Sequence, residues 1–88
     1  MAEKDDYAER PQFSVYQFFP DERYERVLSF VYPKEAFTVA AQLCRSVGAR
    51  IGTTRRVIVT DGGDFTVFEW RHGEGVTWPP EAAGKVPR

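Results

Sequence analysis

A hairpin is written into residues 55 to 71, RRVIVTDGGDFTVFEWR, where two runs rich in β-branched and aromatic residues meet across Gly62-Gly63. A glycine pair accepts the positive φ values of a tight turn, so the segment predicts two antiparallel strands joined by a two-residue loop. That loop sets Val57 opposite Phe68, Ile58 opposite Val67, Arg56 opposite Glu69 and Arg55 opposite Trp70. Side chains alternate along a strand. Val57, Val59, Phe68 and Trp70 therefore share one face, and Ile58, Phe65 and Val67 lie among charged neighbours on the other.

A second hairpin precedes it. The run FSVYQFF from residue 13 is followed by Pro20-Asp21-Glu22-Arg23 and then by YERVLSFV from residue 24. Pro20 presets φ for the first central position of a type I turn, which puts Phe19 beside Tyr24, Val15 beside Leu28 and Phe13 beside Phe30. One face then carries Phe13, Val15, Leu28 and Phe30, and the other carries Ser14, Tyr16, Phe18, Val27 and Ser29. Between the hairpins, EAFTVAAQLCRSV has no interior glycine or proline, Pro33 suits a first helical position and Glu35 suits the positive end of a helix. A helix is predicted, ended by Gly48, with Phe37, Ala40, Ala41, Cys44 and Val47 as its apolar stripe and Ala36 and Leu43 on the flanks. The elements together predict an α+β domain in the order ββαββ, a four-stranded, largely antiparallel sheet with one helix on a face.

With 88 residues the chain is sized for one domain, burying roughly 60 to 65% of its unfolded surface. The domain is expected over residues 12 to 78, between an acidic lead-in at 1 to 11 and a tail at 79 to 88. The Trp78-Pro79-Pro80 segment is expected either to fold back across the sheet face that the helix leaves open or to leave that face bare. No segment approaches the roughly 20 apolar residues of a membrane span. Cys44 is the only cysteine, so no internal disulfide forms, and a reducing, cytoplasmic setting is expected.

Signatures of catalysis are missing. The only histidine is His72, beside a glycine in an expected turn, and it reads as an exposed turn residue more readily than as a general base. Cys44 on the helical stripe reads as a small hydrophobe rather than a nucleophile. In TDGGD, a two-residue loop opposes Asp61 and Asp64. Two carboxylates supply too few ligands for a calcium site, so each is expected to cap turn N–H groups or meet an arginine. No metal and no cofactor are expected.

Two features point to binding. Residues 36 to 60 carry Arg45, Arg50, Arg55 and Arg56 and no acid, despite a net charge of −1, and these arginines form a candidate anion or nucleic-acid site. The competing reading has Arg45 favouring the helix C-terminus, Arg56 paired with Glu69 and Arg55 stacked on Trp70. The other feature is aromatic excess on both sheet faces, since one helix covers only one. Tyr16, Phe18 and Val27 are the candidate interaction surface. The leading expectation is a binding module, a homodimer formed through this face or a sheet edge; the alternative is a nucleic-acid or anion binder.

Overall fold

In a computed structural model, which describes residues 10 to 82, five antiparallel strands form one sheet with helices packed against it. β1 (Phe13–Phe18) and β2 (Tyr24–Val31) are followed by α1 (Pro33–Cys44) and α2 (Val47–Ile51), then by β3 (Arg56–Thr60), β4 (Thr66–Arg71) and β5 (Gly75–Trp78), with a 3-10 turn at Pro80–Ala82. The α+β class and the ββαββ order hold, and β5 makes the sheet five-stranded rather than four-stranded. The strand order is β2-β1-β3-β4-β5. The helical crossover delivers β3 to the edge of β1 that β2 leaves free, so β1 and β3 are interior strands and α1 packs on both.

The core forms where these strands meet the helix. Val15, Val57 and Val59 are fully buried, and Phe13, Trp70 and Val76 join them from the same side of the sheet. From α1 come Ala36, Ala40 and Cys44, spaced four residues apart and so on one face of the helix. The predicted stripe shares Ala40 and Cys44 with this face but is rotated from it. Val39 and Leu43 are the flanking residues packed on the core, while Phe37 and Val47 are 39% and 63% exposed. Small side chains let the helix lie close to the valines below. Phe37 is turned toward β4, where its ring meets the Phe68 ring edge-on at 6.0 Å.

The helix also ends earlier than Gly48 suggests. Ser46 turns the chain after Cys44: its hydroxyl donates to the Leu43 carbonyl at 2.7 Å and accepts from the Ala49 N–H at 3.1 Å, capping α2. Gly48 lies inside α2, where a Cβ would fall 2.8 Å from Thr54 Oγ1. The left-handed residue that ends the helical segment is Gly52, at φ 94°.

Both predicted hairpins form, with different loops. Each uses a type I turn followed by a left-handed residue that is not glycine. In the first, the Glu22 N–H donates to the Phe19 carbonyl at 2.9 Å and Glu22 sits at φ 73°. The loop is one residue shorter than expected, so Phe18, not Phe19, faces Tyr24. Two irregularities along β2 then restore Val15 to Leu28 and carry Phe13 to Val31 rather than Phe30. Phe30, at φ 55°, is 67% exposed, and its N–H is held by the Ser14 hydroxyl at 3.3 Å.

In the second hairpin Asp61 and Asp64 are not opposed. The Asp61 N–H donates to the Phe65 carbonyl and the Asp64 N–H to the Asp61 carbonyl, with Asp64 at φ 65°. The longer loop and an irregularity after Val59 move the register by two residues: Val57 faces Trp70, Ile58 faces Glu69, Val59 faces Phe68 and Arg56 faces Arg71. An even shift preserves the faces, so Val57, Val59, Phe68 and Trp70 still share one side.

The segment before Pro79 does not fold back over the sheet. Gly75–Trp78 pairs with β4 as the edge strand β5. The described residues include 10, 11 and 79 to 82; the rest of the expected lead-in and tail lies outside them.

Candidate functional site

The side of the sheet opposite α1 carries Tyr16 and Phe18 on β1, Tyr24 and Arg26 on β2 and Arg56 on β3. Register places them together: Tyr16 faces Arg26, and Phe18 faces Tyr24 on one side and Arg56 on the other. The Tyr24 ring lies 5.9 Å from that of Tyr16 and 5.5 Å from that of Phe18. The Arg26 guanidinium sits 5.8 Å from the Tyr16 ring centre and that of Arg56 4.8 Å from the Phe18 ring centre, within cation–π range. Tyr24 is 62% exposed. Val27, expected beside Tyr16 and Phe18, is instead half-buried against the core cluster. It occupies the extra position that β2 inserts between the partners of Val15 and Tyr16.

Glu69 anchors the polar half of this face. Its carboxylate meets Arg56 Nε at 2.5 Å and Arg71 Nη2 at 3.2 Å, and it accepts from the Thr77 hydroxyl at 2.7 Å. Burial acts to raise the carboxyl pKa, but the hydrogen bonds from Thr77 and Arg56 and the two guanidinium charges together hold it below the usual carboxylate range. The Arg56–Glu69 pair forms as expected, although diagonally rather than directly across the strands. The competing placement of Arg55 on the Trp70 ring does not form, since Trp70 is buried opposite Val57 and Val76.

The four candidate arginines separate. Arg45 stands at the C-cap of α1, where its backbone N–H bonds the last carbonyls. Arg50 is on α2 beside a shallow hollow that includes Trp70, His72 and Glu74. Arg55 and Arg56 converge instead with Arg71 and His72 on another hollow of about 420 Å³, at the end of the sheet where β1 and β4 finish and β3 begins; Phe18, Phe19 and Pro20 form its apolar wall, and Glu22 and Glu74 also line it. Arg71 is absent from the candidate set because it lies outside the acid-free stretch of residues 36 to 60, and the two-residue-loop register sets it opposite Thr54 rather than Arg56. The pairing of Arg56 with Arg71 is the signal that a longer loop would have supplied.

His72 is half-buried rather than exposed. Its Nδ1 lies 2.7 Å from the Ala49 carbonyl, so the proton on this nitrogen is donated there. The Trp70 ring lies edge-on to the imidazole at 6.5 Å. Asp61 does cap its turn, with Oδ1 accepting from the N–H groups of Gly63 and Phe65 at 2.9 and 3.1 Å.

Cys44 is buried, and desolvation, opposed by the nearby Arg45 charge, pushes its thiol up to about 12. It stays protonated at neutral pH and is a poor nucleophile. Among the described residues no three His, Cys, Asp or Glu side chains come together to hold a metal ion, and no helix is long and apolar enough to cross a membrane. Comparison of the chain with protein-family models, curated proteins and solved structures finds no match.

Proposed function

We propose that this chain is a binding module whose open sheet face receives single-stranded nucleic acid. The observation that supports the reading is the interleaving of flat rings with guanidinium groups on the face opposite α1, which no described element covers: Arg26 against Tyr16, and Arg56 against Phe18, with Tyr24 between the two rings. Bases stack on aromatic side chains and on arginine planes, and phosphates are drawn to the cationic excess. On this face Glu69 is the carboxylate that Arg56 and Arg71 share, and Arg26 adds a further positive charge. A cytoplasmic setting belongs to the same proposal and rests on Cys44, a free and buried thiol.

The second reading is self-association through this face, supported by the exposure of Tyr24. A two-fold pairing brings the arginine-rich face against itself, which is unfavourable unless each Glu69 is shared across the interface. The irregularities along β2 also weigh against pairing at that edge.

Binding of a labelled single-stranded oligonucleotide, followed by fluorescence anisotropy, tests the first reading. Affinity is expected to fall steeply with added salt, and Phe18→Ala and Tyr24→Ala are each expected to weaken it about tenfold, the low end of one lost stacking contact. No binding at low salt overturns this reading. A salt-insensitive dimer in light scattering, converted to monomer by Phe18→Glu, establishes the second in its place.

A further inference from the structure

We propose that the hollow at the end of the sheet is a seat for a phosphate monoester group, held chiefly by Arg55 and His72 with Arg71 beside them. The inference does not depend on the open-face reading, because a free phosphorylated small molecule presents the same group as the end of a nucleic-acid strand.

The backbone fixes the seat. The Arg55 N–H donates to the Phe18 carbonyl at 2.8 Å, and the His72 N–H donates to the Arg55 carbonyl at 2.9 Å, so the ends of three strands are locked side by side. Above this rim the chain leaves α2 through Gly52, which has no side chain. A Cβ placed on Gly52 would lie 3.3 Å from His72 Nε2 and 3.7 Å from Arg55 Nη1. Two nitrogens from different strand ends therefore converge on one notch that a side chain would fill. The Ala49 carbonyl holds His72 by its other ring nitrogen, which leaves Nε2 directed to the notch, where a neutral ring accepts from the P–OH of a monoanionic phosphate and a protonated ring donates to a phosphate oxygen.

Arg55 is the group that favours an oxyanion. Arg56 and Arg71 are partly neutralised by Glu69, whereas Arg55 forms no ion pair among the described residues. A guanidinium fork matches the oxygens of a phosphate. Glu22 and Glu74 line the same hollow and with Glu69 equal the three arginines in number, so the seat rests on the placement of Arg55 rather than on net charge, and the expected binding is weak for phosphate alone. At about 420 Å³ the hollow has room for more than a phosphate, within the size range of small-molecule sites. The wall of Phe18, Phe19 and Pro20 suits an apolar group attached to the phosphate.

The test is a titration of the ¹⁵N-labelled full chain, with backbone amides, arginine Nε–H and histidine ring signals followed by NMR. Inorganic phosphate is the first probe, with sodium chloride of equal ionic strength as control. Saturable shifts at Arg55, Arg71 and His72 are expected. Arg55→Ala is expected to weaken binding about tenfold, the loss of one charge-assisted contact, while Arg45→Ala, outside the hollow, leaves it unchanged. Gly52→Ala, which fills the notch, is expected to weaken it too; should that variant fail to fold, the exposed Arg55 still decides the matter. Shifts that chloride reproduces, or that survive Arg55→Ala, overturn the proposal.

A nucleoside 5′-monophosphate and oligonucleotides ending in a 5′-phosphate or a 5′-hydroxyl then separate the sources. Preference for the phosphorylated oligonucleotide over its hydroxyl counterpart supports a strand end; tighter monophosphate binding with no difference between the oligonucleotides supports a free small molecule. Phosphate binding without oligonucleotide binding leaves the seat standing and removes the open-face reading. Oligonucleotide binding with no saturable response to inorganic phosphate or the monophosphate does the reverse.

Discussion

Trp70→Ala is expected to lower the stability of the domain by about 3 to 5 kcal/mol, the usual cost of truncating a buried aromatic residue. Domains of this size have only about 5 to 15 kcal/mol to lose, so the variant is expected to be largely melted at temperatures the parent survives. The reason lies in the position of the indole. Trp70 is 5% exposed and faces Val57 on one neighbouring strand and Val76 on the other. It thus ties the interior of the sheet to β5, a four-residue edge strand otherwise held by its pairing with β4 and by the Thr77–Glu69 hydrogen bond. The cluster that it completes is built largely of valine and alanine, side chains too short to collapse into the space it leaves. Trp78, 45% exposed, serves as the control, and its replacement by alanine is expected to cost less than half as much. Denaturant unfolding followed by circular dichroism measures both. A Trp70→Ala midpoint within about 1 kcal/mol of the parent would mean that the core is organised around some other residue.

The same residue shows what the sequence made legible. Alternation alone places Trp70 on one face together with Val57, Val59 and Phe68, and the structure keeps all four together and makes that face the core side. Alternation tolerates an error of two residues, which is why the faces were recovered although the partners were not. Partners depend on loop geometry, and both loops place a non-glycine residue, Glu22 or Asp64, in the left-handed region. That choice has no strong signature in the sequence, whereas Gly62-Gly63 advertises a tighter turn. The rotation of α1 was hidden for another reason. Ala36, Ala40 and Cys44 are less hydrophobic than Phe37 and Val47, but closeness to the sheet selects for small side chains. β5 was missed because Gly75–Trp78 is short and gains its order from pairing with β4.

The candidate site depended on these same errors. Arg55 and Arg56 were visible as a charged run, but Arg71 and His72 reach them only across the sheet. Their convergence follows from the pairing of Arg56 with Arg71, the part of the register that was misplaced. Tyr16 and Phe18 needed only alternation to be found, and Tyr24 joined them once the first loop shortened by a residue.

Glu69→Gln is expected to move stability and binding in opposite directions. The Glu69 side chain is 14% exposed and contacts two guanidinium groups that are 33% and 47% exposed. Hydrogen bonds to charged partners are worth about 1.5 to 3 kcal/mol. Both arginines can regain water when the carboxylate is removed, so the expected loss at neutral pH is at the low end, about 1 to 2 kcal/mol. The pH dependence identifies its origin. Because the folded-state pKa lies below the ordinary value of 4.5, the stabilisation is fully present above that value and is lost as pH falls through the lowered one. The difference between the parent and Glu69→Gln should therefore be steady from neutral pH down to about 4.5 and close at lower pH; a gap that persists in strong acid would assign the loss to packing instead. Oligonucleotide affinity should rise at low salt, since Arg56 and Arg71 are no longer shared with a carboxylate, and the gain should fade as salt is added. Lower stability with unchanged affinity would show that the two arginines hold the sheet together and take no part in binding.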